Sequence, residues 1–148
     1  MRFSTLTRRP GTSLAAAVMA MALFAVTPAS AQTLVQGYAA YGKGDYATAL
    51  ANLQPLAKKG AKAAQYYLGL MYEKGRGVTR DDAEAAQWFR RAADQGHADA
   101  QYSLALMYIE GRGVAHDEYE ALDWLTLAAQ QGHKPAQDIM KSNGYPWE

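Results

Sequence analysis

Displacing the chain by 36 residues lays 64–99 on 100–135 without a gap, and 20 of the 36 positions are identical. Ala64-Gln65-Tyr66 meets Ala100-Gln101-Tyr102, and Leu70-Met71-Tyr72 meets Leu106-Met107-Tyr108. Gly75-Arg76-Gly77-Val78 meets Gly111-Arg112-Gly113-Val114, Trp88 meets Trp124, and Gln95-Gly96-His97 meets Gln131-Gly132-His133. A period in the thirties belongs to arrays of small units that bury their apolar faces only against one another. A third copy starts at Ala136-Gln137, with Met140 in the place of Leu68 and Leu104. A looser one covers 34–62, where Tyr41, Gly44, Asp45, Ala49, Leu53, Ala57 and Gly60 match across a shorter inter-helix loop. The organisation read from this is a divergent first repeat at 32–62, repeats at 63–99 and 100–135, and a partial repeat or cap at 136–148.

Each repeat reads as two antiparallel helices. Ala64, Leu68, Met71 and Tyr72 fall at i, i+4, i+7 and i+8, one apolar face of a helix. Gly75 and Gly77 end it, because glycine reaches the left-handed conformation beyond a helix at little cost. Asp81-x-x-Glu84, repeated as Asp117-x-x-Glu120, is a capping-box start for the second helix. Its stripe is Ala85, Trp88, Phe89, Ala92 and Ala93, echoed by Ala121, Trp124, Leu125, Ala128 and Ala129. Alanine, 30 of 148 residues, favours helices and lets them approach closely. The expected fold is all-α, a solenoid of antiparallel helix pairs, with each Trp filling space between pairs. Pro135 suits a helix start, so 136–143 should form a closing helix, followed by a packed Tyr145-Pro146-Trp147 tail.

Residues 1–31 read as a secretory signal peptide. Arg2, Arg8 and Arg9 precede the uncharged run Leu14–Val26, and Ala29-Ser30-Ala31 has the small-x-small pattern of a cleavage site. The 13-residue run is short beside the about 20 residues that span a bilayer. No cysteine is available for a lipid anchor. Cleavage would leave 117 residues with 12 Lys+Arg against 14 Asp+Glu, and no membrane span. A periplasmic or secreted location is expected, and a cysteine-free exported chain suits a bacterial-type periplasm.

The string Ala-Gln-Tyr-x-Leu-x-Leu-Met-Tyr-x-x-Gly-Arg-Gly-Val-x-x-Asp, with Ala-x-x-Trp and Ala-Ala-x-x-Gly after it, resembles the Sel-one-like repeat (SLR) family, relatives of the tetratricopeptide arrays. The resemblance covers 63–140 closely and 34–62 loosely. It implies a right-handed α/α superhelix whose concave face binds proteins or peptides. Exported bacterial members serve as adaptors in envelope assembly, as regulators of membrane signalling, or as effectors towards host proteins. Some cysteine-rich relatives are linked to β-lactam binding or hydrolysis. An envelope hydrolase for β-lactam or peptidoglycan-type substrates is therefore the alternative, though the Cys pairs of those relatives are absent here.

Side chains that could carry chemistry are sparse. His97 and His133 stand one repeat apart, and neighbouring helix axes lie roughly 8–10 Å apart, too far for two imidazoles at about 2 Å from one zinc. Both follow a helix-ending Gly, where an imidazole is expected to bond exposed carbonyls. His116 has no partner in sequence. Gly75-Arg76-Gly77 follows a helix and lacks the third glycine and the strand of a phosphate loop, so it reads as a turn braced by its Arg. The capping carboxylates are committed to backbone N–H groups. No Ser-x-x-Lys, Gly-x-Ser-x-Gly or His-Glu-x-x-His occurs. The near-neutral charge argues against a nucleic-acid binder. No catalytic residue, metal or cofactor is assigned, and the chain is read as a monomeric, non-enzymatic adaptor for a protein or peptide partner.

The partner face is placed on the first helix of each repeat, beside the buried stripe. It comprises Tyr66, Leu70 and Glu73, then Tyr102, Leu106 and Ile109. Tyr offers rigid contact area with one polar tip. The same Tyr and Leu could equally widen the core stripe, whereas Ile109 replaces Glu73 where no repeat geometry demands an apolar residue. Three repeats of about 10 Å give a groove of about 30 Å, room for about eight extended residues.

Overall fold

The computed structural model describes residues 28–147. The n-region and apolar run of the expected signal peptide lie outside them. Seven helices follow one another: α1 (Pro28–Gly42), α2 (Tyr46–Lys58), α3 (Lys62–Lys74), α4 (Asp82–Asp94), α5 (Ala98–Glu110), α6 (Glu118–Gln130) and α7 (Lys134–Ser142). Among the described residues there is no strand. The starts of α2, α4 and α6 are spaced by 36 residues, as are those of α3, α5 and α7, so the repeat is one helix pair. The looseness of the first copy falls in its loop, three residues at 43–45 against seven at 75–81. Ala29-Ser30-Ala31, the expected cleavage site, lies in the first turn of α1.

Helix ends follow from single residues. Asp45, Asp81 and Asp117 cap α2, α4 and α6, their carboxylates accepting from the N–H groups of Thr48, Glu84, and Tyr119 with Glu120. The reciprocal half of the capping box is replaced: the Asp81 N–H donates to the Tyr72 carbonyl at 3.0 Å, and that of Asp117 to Tyr108 at 3.2 Å. The preceding helix thus satisfies the donor and fixes the hairpin. Gly75 and Gly111, both at φ 63°, close α3 and α5 in the left-handed region.

The interior is three linked apolar clusters. Ala40, Leu53, Leu56, Leu68, Met71 and Trp88 build the first, Phe89, Leu104 and Met107 lead the second, and Ala105, Leu125 and Met140 lead the third. At Gly69 helix α3 comes so near α4 that a Cβ would stand 2.5 Å from the Phe89 ring. Trp88 is buried as expected, while Trp124 is only half-buried across the second and third clusters. Trp147 packs on the third cluster, but Tyr145 of the same tail is exposed.

A polar ladder runs through this interior. Buried Gln65 and Gln101 donate through Nε2 to the carbonyls of Ala57 and Ala93, each at 3.1 Å, and half-buried Gln137 does so to Ala129 at 2.9 Å. Gln95 and Gln131 then donate to the Oε1 atoms of Gln65 and Gln101 at 2.7 Å. Each repeat therefore hydrogen-bonds the end of the preceding second helix through the same side chain.

Candidate partner-binding face

The six side chains expected on the partner face share a helix type but not an environment. Tyr66 and Leu70 of α3 are half-buried against the second cluster. The Tyr66 ring stacks on His97 at 4.7 Å between centroids and tilts against Phe89. Burial, with the negative charge of Asp99, pushes its hydroxyl pKa up to about 12. Tyr102 lies 4.7 Å from the His133 ring and packs on the third cluster. These two Tyr brace adjacent repeats as well as presenting an edge to solvent. Leu106 is half-exposed and belongs to none of the three clusters.

Glu73 is committed elsewhere. Its carboxylate pairs with Arg112 of the next repeat at 3.0 Å and with neighbouring Lys74 at 3.3 Å. Ile109 is the most exposed of the six and stands apart, beside a cavity between the end of α5 and helices α6 and α7. Tyr67, not among the six, has Ser103 as its counterpart. It stacks on Tyr38 at 4.5 Å and meets Tyr41 edge-on at 5.1 Å, joining α1 to α3 through a run of rings. Among the described residues the buried Tyr38 hydroxyl has no hydrogen-bond partner, and burial pushes its pKa up to about 12.

The backbone N–H groups of His97 and His133 donate to the carbonyls of Ala92 and Ala128 at 3.1 Å, but their imidazoles turn the other way. Each is the N-cap of the helix after it, with Nδ1 accepting from the N–H of Ala100 or Ala136 at 3.3 Å. The geometry makes the ring an acceptor, because Gly96 and Gly132 reverse the chain (φ 78° and 84°) and present the imidazole to the next free N–H groups. His133 then turns Nε2 towards Asp99 at 3.2 Å, placing its proton there. Desolvation lowers the His97 pKa, although Asp99 opposes this. Among the described residues no group of three or more His, Cys, Asp or Glu side chains could hold a metal ion.

The Gly-Arg-Gly turns latch one repeat to the last. Arg76 donates to the Tyr41 hydroxyl at 2.9 Å and lies over the Tyr41 and Tyr46 rings. Arg112 pairs with Glu73, Glu110 and, at 3.9 Å, Asp82. Neither guanidinium is an unoccupied anion clamp. Among the described residues no helix is long and apolar enough to cross a membrane.

The Sel1 repeat family model matches residues 62–97 and 98–133, the two 36-residue units that begin at or beside the starts of α3 and α5. Similar solved structures include a Sel1 repeat protein from Oxalobacter formigenes (35% identity over 73% of this chain and 43% of that one, TM-score 0.70). A protective antigen of uropathogenic Escherichia coli strains with an SLR fold shares 37% identity over 78% of this chain and 26% of that one, TM-score 0.70. Helicobacter pylori cysteine rich protein B shares 25% identity over 62% of this chain and 68% of that one, TM-score 0.59. No curated protein matches the chain. The chain spans less than half the length of the first two of these structures. Proteins with these repeats generally act by binding other proteins rather than by catalysis. Doubled repeats, helix-pair geometry and these likenesses agree, and the chain belongs to the Sel1 repeat family.

Proposed function

We propose that this protein is an exported, non-catalytic adaptor, periplasmic or secreted, that binds a protein or peptide along the first-helix face of its array as a monomer. The observation that carries the reading is the half-exposed edge formed by Tyr66 and Leu70 of α3 and Tyr102 and Leu106 of α5. These side chains are anchored by the array yet keep apolar surface in water, the condition of an interface hot spot. Leu106 is the cleanest probe, since none of the three clusters includes it. A photo-crosslinking residue at Tyr102 should capture a defined partner, and Leu106→Lys should abolish that capture while the melting temperature stays within a few degrees. Undiminished capture by Leu106→Lys refutes the face, and loss of capture only through melting returns Leu106 to the core.

A further inference from the structure

The far edge of the array carries a second, differently built surface. Between the end of α5, the start of α6 and the end of α7 lies a cavity of about 350 Å³ floored by Ile109, Leu122, Leu125 and Ile139. Tyr119 and Tyr145 stand at its rim with 84% and 49% of their surface in water, and Ile109 is 40% exposed. In the 36-residue register Ile109, Tyr119 and Leu122 replace Glu73, Ala83 and Ala86. The side chains at this place are therefore larger and more apolar than those of the repeat before it.

The inner repeats show what such a place receives. The Gly111-Arg112-Gly113-Val114 turn sits on the start of α4: Gly113 is so close that a Cβ would lie 2.0 Å from the Asp82 carbonyl oxygen. Arg112 reaches Glu73 and Asp82, and Val114 packs into the second cluster. Gly77 and Arg76 seat in a similar way on Tyr46 at the start of α2 and on Tyr41 near the end of α1. Among the described residues no third turn covers the start of α6. There α7 ends at Ser142, and Tyr145 folds back, its N–H donating to the Met140 carbonyl at 3.0 Å.

Charge selects the kind of segment that fits. Residues 32–80 carry seven bases and two acids, whereas 81–148 carry five bases and twelve acids. Glu118 stands in the place of Asp82 and keeps a carboxylate for a cation, while Ile109 in the place of Glu73 turns the adjoining contact apolar. We propose that this edge is a docking site for a basic, aliphatic-anchored turn of a partner protein, seated on α6 as the Gly-Arg-Gly-Val turns seat on α2 and α4. The proposal rests on the reading of the chain as a binding protein, but it names a separate surface and the partner chemistry that surface accepts.

The probe is a cyclised peptide carrying Lys-Gly-Arg-Gly-Val-Thr, the chain's own residues 74–79, since cyclisation removes much of the ordering cost. Titrated into the purified, isotope-labelled chain, it should shift the NMR signals of Ile109, Tyr119, Leu122 and Ile139 saturably. Glu118→Lys should weaken binding at least tenfold, and so should a peptide with Glu for Arg. Both Glu118 and Tyr119 are largely exposed, so these variants keep the fold. Shifts elsewhere, no saturation, or equal binding by Glu118→Lys overturns the proposal. So does concentration-dependent self-association abolished by Tyr119→Lys, which would assign the edge to a second copy. Crosslinking from Tyr102 does not involve this peptide, so either reading can fail alone.

Discussion

Replacing Gly69 by alanine puts a methyl group 2.5 Å from Cδ1 and Cε1 of Phe89, a ring with no exposed surface. Carbon atoms rest at about 3.5–4.0 Å, so α3 and α4 must separate by about 1 Å or the ring must leave its rotamer. Against a fully buried ring this contact should cost the upper part of the usual overpacking range, about 2–3 kcal/mol, and the better helix propensity of alanine returns about 1 kcal/mol. The net loss should be about 1–2 kcal/mol, or roughly 4–8 °C in melting temperature for a domain of this size. Phe89→Leu alone leaves a void and should cost about 1–2 kcal/mol. The next repeat holds the same pair as Ala105 and Leu125, both buried in one cluster. Gly69→Ala with Phe89→Leu therefore reproduces a solution this chain already contains. In a double-mutant cycle by urea unfolding at 222 nm, the pair should lose no more than about 1 kcal/mol, giving a coupling of about 1–3 kcal/mol. Losses that simply add would show that the Gly69–Phe89 contact does not set the helix spacing.

Gln101→Leu removes the bond to the Ala93 carbonyl and the acceptor for Gln131 while keeping much of the volume, so urea unfolding should show a loss of about 2 kcal/mol. Burial holds the native pKa of His97 below its usual 6.5, so below that value the unfolded chain takes up a proton that the folded one resists. Stability should therefore rise with pH through this window and fall as pH drops from 6.5 towards the lowered native value. His97→Asn, which keeps an N-cap acceptor, should flatten that slope when urea midpoints are compared at pH 5.5 and 7.5.

Periodicity made the helix pairs legible, because every buried face has to recur where its neighbour recurs. Ala64, Leu68 and Met71 are buried at the spacing read for them, and the aspartates cap where an acceptor precedes a run of free N–H groups. The glutamine ladder had a signal of the same kind. Gln65, Gln101 and Gln137 recur at 36 residues, as do Gln95 and Gln131, and recurrence at fixed spacing outweighs the usual exposure of glutamine. That recurrence marks a bond that each repeat needs from its predecessor.

The partner face was harder to read because identity between repeats favours two causes at once. Tyr66 and Tyr102 recur since each braces the His of the next turn, so their recurrence describes packing before it describes binding. Glu73 illustrates the converse: it meets the Arg112 latch, whereas its counterpart Ile109 meets no Arg among the described residues. Positions that vary between otherwise matching repeats therefore carry more functional information than those that match. Tyr67 against Ser103 and Tyr119 against Ala83 belong to the same class. Both lie where an inner contact is made on one side of the array and left open on the other, as the exposed Tyr119 ring shows beside the ring-stacked Tyr67. In an array whose stability is summed over nearest neighbours, side chains that no neighbouring repeat contacts are not held by packing, so apolar ones exposed there can meet another protein.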